Sequence, residues 1–345
     1  MSCTIKDIAD ALGMSRNTVA KVLSGAEGVS EKTKTAVLAK AEELQYRHLS
    51  AVPGYHAPSA ASDRGSILFL TRTSFNYSDF WMTVMRGIED VLKKHGYKLL
   101  IGIIDDAGMQ ALTFPEIIHS PEIKGIILVE ICDIRVCKAV LDFHLPTVTV
   151  DMPRDFEAIL GKMDIVSMEN QAHIQKITED LIYKGCSKFA FAGTLSGSNV
   201  SHGFQSRYDA LVSTLQSHHL SIMEECCLTQ ETDQDFLNAN YLINRIKSFP
   251  SLPDVYICGN DWTAIQLSNA LQYRGYRIPE DISIVGFDNT QASLRATPSL
   301  TTISSPKEML GAAAAHCIID RIRDPSTPYV YSQYMPELIL RKSTI

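Results

Sequence analysis

No stretch of the 345-residue sequence approaches the roughly 18 uninterrupted apolar residues that a membrane helix needs. The opening Met1-Ser2-Cys3-Thr4-Ile5-Lys6-Asp7 lacks the apolar segment of a secretion signal. A membrane partner is therefore not expected, and the expected compartment is the cytoplasm. Paired cysteines are also lacking. Cys3, Cys132, Cys137, Cys186, Cys226, Cys227, Cys258 and Cys317 are scattered without C-x-x-C spacing, which excludes a zinc framework and a disulfide scaffold. Adjacent Cys226 and Cys227 read as small semi-buried side chains, with an oxidant-sensing pair as the sharper alternative. Catalytic signatures are missing too: there is no G-x-S-x-G, no G-x-x-x-x-G-K-[ST] and no H-E-x-x-H. His218-His219 and Asp105-Asp106 have no evident partners, so no enzyme, no metal and no cofactor is expected.

Excess positive charge is the last absence, since the formal net charge is −7. The charge is unevenly spread, however. Residues 1–50 hold seven Lys/Arg against six Asp/Glu, while the remainder holds 25 against 33. A small, nearly neutral head on an acidic body can still bind DNA if it gathers its cations on one face. The balance of 45% hydrophobic and 21% charged residues is that of a folded protein, and the length calls for two or three compact units.

Residues 1–48 carry three helical patterns. Thr4-Ile5-Lys6-Asp7 has the form of a capping box, and Ile5, Ile8, Ala9 and Leu12 follow at helical spacing until Gly13. Ser15 caps a second helix with Val19, Val22 and Leu23 on its apolar face. Ser30 caps a third, with Val37, Leu38, Ala41 and Leu44 inward. Small Ala9, turning Gly13 and Val19 in the angle between the first two helices follow the packing rule of the helix-turn-helix. The second helix of that motif enters the major groove of DNA. Its outward residues are Arg16 and Asn17, with Lys21 a turn later. Arg suits the paired acceptors of guanine and Asn the N6/N7 edge of adenine. Ser15, Thr18 and Ser30 are the candidate phosphate contacts.

From Thr4 to Arg47 the sequence resembles the headpiece of the lactose/galactose repressor (LacI/GalR) family. The likeness runs through Thr4-Ile5-Lys6-Asp7-Ile8-Ala9, Ser15 to Leu23, Val29-Ser30 and Glu43 to Arg47. The resemblance places Arg16, Asn17 and Lys21 on base-reading positions. The linker, 49–65, departs from the family. Pro53, Gly54 and Pro58 replace the hinge-helix segment that wedges an apolar side chain into the minor groove. A short turn around Leu49–Val52 is the remaining candidate for a wedge.

Over 66–345, short apolar runs alternate with helical patterns: Ser66–Leu70, Lys98–Ile104, Gly125–Glu130, Thr147–Val150, Lys188–Ala192, Asp254–Cys258 and Ile282–Phe287. Such runs imply parallel sheets covered on both faces, here two α/β lobes with a cleft between them. Ligands bind beyond the carboxyl ends of such strands. There stand Phe80 and Trp81 just before a helix expected over Met82–His95, the loop Gly193–Gly203 leading to Arg207, Asn260 with Asp261, and Asp288 with Asn289. An aromatic pair with Arg, Asn and Asp suits a polyol or a nucleobase.

The body resembles a periplasmic-binding-protein type I sensor core, through Ser78 to Trp81, Arg207 to Leu211, Cys258 to Ala264, Arg277 to Asp288 and Thr297 to Ile303. The resemblance places Phe80, Trp81, Arg207, Asn260 and Asp288 on effector contacts, with Glu169 where the family usually has Asp. The loop Leu195–Gln205 is not family-typical and adds Ser201 and His202 as candidates. The resemblance further implies three crossings between lobes, lobe one being about 66–165 plus 292–324 and lobe two about 166–291 plus 325–345. It also implies a homodimer placing two heads on a palindromic operator; no leucine-heptad tail follows the last apparent strand, Glu337–Leu340, so a dimer is favoured over a tetramer. The expected function is a repressor whose hold on double-stranded DNA responds to a small-molecule effector, a sugar or related metabolite. The alternative is a receptor of the same fold that has lost useful DNA binding.

Overall fold

The computed structural model describes residues 4–24, 26, 28–44, 46, 64–72 and 79–345. They form two compact units, Met1–Asp63 and Arg64–Ile345. The wedge expected near Leu49–Val52 lies outside the described residues.

In the first unit, α1 (Ile5–Leu12) opens on a reciprocal capping box between Thr4 and Asp7 and closes on Gly13 at φ 63°. That left-handed turn is cheap only without a Cβ. Ser15 accepts from the Thr18 amide at the start of α2 (Arg16–Leu23). Ser30 does the same for Thr33 at the start of α3 (Glu31–Glu43). Ile8, Ala9, Val19, Val22, Val37 and Ala41 are all buried in one miniature core. The Ala9–Gly13–Val19 reading therefore holds.

The second unit holds two sheets. The first has the order β10-β5-β4-β3-β1-β2. Its strands are β1 (Ser66–Arg72), β2 (Lys98–Ile104), β3 (Ile123–Val129), β4 (Thr147–Val150), β5 (Asp164–Met168) and β10 (Tyr331–Tyr334), all parallel. The second has the order β11-β9-β8-β7-β6. It comprises β6 (Phe189–Ala192), β7 (Val255–Cys258), β8 (Ser283–Phe287) and β9 (Thr301–Ser304), with β11 (Glu337–Ile339) antiparallel at its edge.

Alternation along β1 explains why the first sheet is covered twice. Ile67 and Phe69 face the core under α4 (Asp79–Lys94) and α13 (Lys307–Arg323), while Leu68 and Leu70 face the core on the side of α5 (Asp106–Ala111) and α6 (Ile134–Leu141). The second sheet packs with α7 (Ala172–Tyr183), α8 (His202–Ser217), α9 (Asp233–Leu237), α10 (Ala239–Lys247) and α11 (Asp261–Tyr273), and α12 (Gln291–Arg295) lies against α11. Helices α4 and α13 cross in close contact. A Cβ at Gly311 would fall 2.0 Å from the Val84 carbonyl oxygen, and one at Gly87 would fall 2.3 Å from that of Glu308.

Two expectations need correcting. The helix expected over Met82–His95 starts at Asp79, because Phe80, Val84 and Ile88 continue one buried stripe at four-residue spacing. Phe80 and Trp81 therefore sit in its first turn. The chain does cross between lobes three times, but later than expected, after β5, after β9 and after β10. Residues 292–304 lie with lobe two, since β9 pairs with β8. Residues 325–334 lie with lobe one, since β10 pairs with β5. A buried ion pair fixes that return. Arg321 grips the Asp164 carboxylate at 2.9 and 3.0 Å and holds the Pro328 carbonyl, while the Val330 amide donates to Asp164.

Candidate functional site

On α2, Val19 and Val22 point into the miniature core, and Arg16, Asn17 and Lys21 are exposed. Asn17 and Lys21 are four residues apart, so they share a face, and Arg16 stands beside them at the helix start. The hydroxyls of Ser15 and Thr18 bond each other at 2.9 Å, as do those of Ser30 and Thr33 at 2.8 Å. Both serines thus fix helix N-termini whose amides and positive dipole ends suit a phosphate.

The second site lies where the carboxyl ends of both sheets converge. Phe80, Trp81, Asp151, Met168, Asn170 and Gly203 are among the residues around a space of about 10 Å³. Phe80 meets Trp81 edge-on, ring centroids 4.5 Å apart. Arg207, on α8, is buried behind them. Its Nε and Nη2 donate to Asn170 Oδ1 at 3.1 and 2.8 Å, and its Nη1 donates to the Gly259 carbonyl at 2.5 Å. Its guanidinium carbon lies 3.5 Å from the centre of the Phe287 ring. Burial lowers the pKa of this guanidinium, opposed first by the charge of Asp288.

Asp288 follows β8 at φ 113° and is 9% exposed. Burial pushes its carboxyl up to about 7, against the pull of Arg207. Lys307 Nζ donates to the backbone carbonyl of Asp288. Burial likewise raises Asp151, which takes hydrogen bonds from Ser201 Oγ and the Met152 amide. Asp261 is raised by burial too, yet its oxygens are engaged by Thr302 at 2.5 Å and by Thr290.

The expected residues thus divide by what their polar atoms already do. Phe80, Trp81, Arg207 and Asp288 gather at the cleft. Asn260 faces its own helix, its Oδ1 capping α11 through the Thr263 amide at 2.9 Å. Glu169 turns its carboxylate to the amides of Gln171 and Ala172 at the start of α7. Ser201 caps α8 through Gly203 and reaches across to Asp151. Asp151, Phe204 and Lys307 lie outside the expected set. Asp151 directly follows β4, so the strand-end rule applied to that run points to it. Phe204 has a glycine signal: a Cβ at Gly259 would fall 2.3 Å from its ring, and one at Gly193 3.1 Å.

Known proteins agree with this division into head and body. Residues 4–48 match the model for bacterial regulatory proteins of the lacI family, and residues 178–344 match a periplasmic binding protein-like domain. The head is thus similar to the lacI family of bacterial regulatory proteins and the body to a periplasmic binding protein-like domain. It is similar to the probable HTH-type transcriptional repressor ExuR of Bacillus subtilis (strain 168), 27% identical over 94% of this chain and 93% of that protein. The HTH-type transcriptional repressor PurR of Vibrio vulnificus (strain CMCP6) is also 27% identical, over 98% and 97%. Among solved structures, the fold matches the transcriptional regulator CelR–cellobiose complex at TM-score 0.69 and 20% identity, over 99% of each chain. It matches the lac repressor dimer bound to operator and anti-inducer at TM-score 0.66 and 20% identity, over the whole of each chain. Among the described residues no helix is long and apolar enough to cross a membrane.

Proposed function

We propose that this chain is a transcriptional repressor that reads a palindromic operator as a homodimer and adjusts its grip through a small effector held between the lobes. The observation that carries the DNA reading is α2 itself: Val19 and Val22 anchor one face while Arg16, Asn17 and Lys21 stand exposed on the other. In this reading Arg16 and Asn17 read base edges, Lys21 reaches the next base or phosphate, and Ser15, Thr18 and Ser30 set the head against the backbone. Two such heads need pairing of two bodies, as in the lac repressor dimer on its operator.

The effector contacts are Phe80 and Trp81 as the aromatic wall and Arg207 and Asp288 as the charged pair, while Ser201, Asn260 and Glu169 border the cleft with oxygens already committed to helix caps. A sugar or related metabolite fits an aromatic wall beside fixed donors and acceptors, and CelR holds cellobiose in the same fold. Binding shifts the lobes between two arrangements, and that shift changes the spacing of the heads. No catalytic step and no cofactor enters this reading. Its setting is the cytoplasm, on the nucleoid when operator is bound.

The test is fluorescence anisotropy of the full chain on DNA selected from a random pool, over a salt series, against scrambled DNA. Selective binding with a steep salt dependence supports the repressor. Weak and unselective binding favours the receptor reading, which the Pro53-Gly54 linker independently motivates.

A further inference from the structure

The segment between β6 and α8 does more than connect them. It leaves lobe two, runs along the strand ends of lobe one and bonds there four times in succession. Asn199 Oδ1 accepts from the Cys132 amide at 2.7 Å, across 67 residues of chain. The Val200 carbonyl accepts from the Arg154 amide at 3.1 Å, and the His202 amide donates to the Met152 carbonyl at 2.9 Å. Between them Ser201 pairs with Pro153 as an antiparallel bridge, and its hydroxyl donates to Asp151 at 2.8 Å. The His202 ring then stands edge-on to Phe156, centroids 4.8 Å apart. All these partners belong to the protein, and all lie on the side of lobe one.

We propose that residues 199–202 are a built-in strap that closes the cleft by protein–protein bonds, so that an effector of sugar size enters only by releasing it. The space inside the strapped cleft is about 10 Å³. That is about the room one water molecule needs, whereas small-molecule pockets run to roughly 300 Å³ or more. The lobes must therefore part before a sugar can sit between Trp81 and Arg207. The strap resists that parting with two backbone bonds and two side-chain bonds, beside the Lys307–Asp288 contact that also joins the lobes. Effector binding and strap closure then compete, which makes the effector an opener of this cleft. That regulatory consequence rests on the effector reading above; the strap itself does not.

The strap is tested on the full chain without any effector, by residue-resolved amide hydrogen exchange at Cys132, Arg154 and His202. Asn199→Ala removes one bond and keeps the cap of α8, while Asn199→Ala with Ser201→Ala removes two. The expected result is protection of all three amides in the parent chain, and exchange about tenfold faster or more in the double variant. Ile127 and Ile257, inside the two sheets, serve as internal controls and keep their protection. Free exchange at the three amides in the parent chain overturns the strap. So does unchanged exchange in the double variant. The effector reading fails separately, if a panel containing cellobiose and ribose neither binds nor alters exchange at Trp81 and Arg207 while the strap responds to its own mutations.

Discussion

The Arg207 guanidinium lies flat against the Phe287 ring at 3.5 Å and spends its Nε and Nη2 on one oxygen of Asn170. It is therefore a structural rivet as well as a candidate effector contact. A lysine keeps the charge but loses both the planar fork and the stacking. Arg207→Lys is expected to cost about 2 kcal/mol of stability, from one charged hydrogen bond and one cation–π contact. Urea unfolding of the full chain measures this. A variant as stable as the parent shows that Asn170 and Phe287 hold their places without the guanidinium.

Asp288 gives the body a pH dependence whose sign follows from burial. Its carboxyl is raised to about 7, so the folded state prefers it protonated. Its contribution to stability is full below about pH 4, the ordinary aspartate range, falls as pH climbs through that window to about 7, and is flat above. Asp288→Asn removes this slope and tolerates the positive φ of 113°. Between pH 5 and 8 the variant should gain on the parent by up to about 3 kcal/mol. Asp151 and Asp261 are raised as well and slope the same way, so the difference between the two chains is the quantity to plot. Parallel profiles would falsify the assignment to Asp288.

The α4–α13 crossing leaves no room for a methyl group. At Gly311 the added Cβ meets backbone, 2.0 Å from the Val84 oxygen, and backbone cannot rotate aside as a side chain can. Gly311→Ala is expected to lower stability by about 2–3 kcal/mol, the cost of overpacking a tight contact, although alanine is the better helix former. A thermal unfolding midpoint at or above the parent's would mean the helices separate freely.

Breaking the Arg321–Asp164 pair should loosen one specific segment. Both side chains are nearly fully buried, and Asp164 also receives the Val330 amide that leads into β10. Asp164→Asn leaves Arg321 buried without a counter-charge, at a cost of about 3–5 kcal/mol. Limited proteolysis should then cut within 325–331 before any other site in the body. First cuts elsewhere would show that β10 is held by its pairing with β5 alone.

Two kinds of signal made much of this architecture legible. Continuous apolar runs gave seven of the strands, and the capping and turn residues Thr4, Gly13, Ser15 and Ser30 gave the head. The three strands that were not read, β5, β9 and β10, are short and interrupted by polar residues. Asp164 in β5 is apolar-compatible only because Arg321 meets it, and Thr302 in β9 only because Asp261 does. Those partners are 157 and 41 residues away, beyond any local pattern. The same blindness shifted the lobe crossings. At the cleft, residue type and strand-end position located Arg207 and Asp288. Whether an Asn or Glu there faces a ligand or its own helix is set by rotamer, and Asn260 and Glu169 both chose the helix.

The head offers the sharpest separation of roles. Arg16 and Lys21 are both exposed cations on α2, so exposure alone does not distinguish a base contact from a phosphate contact. Their positions do. Arg16 is at the N-terminal end of the helix, the end that approaches the base edges in the proposed docking, and Lys21 is a turn further on. Arg16→Ala should relax base preference at one position of each half-site, by about 1–3 kcal/mol, and leave the others intact. Selection of binding sites from random DNA by parent and variant measures this directly. If Arg16 instead holds a phosphate, every sequence weakens alike, and the salt slope falls by about one unit per head. In that case the base-reading burden passes to Asn17, and Asn17→Ala becomes the variant that should erase selectivity.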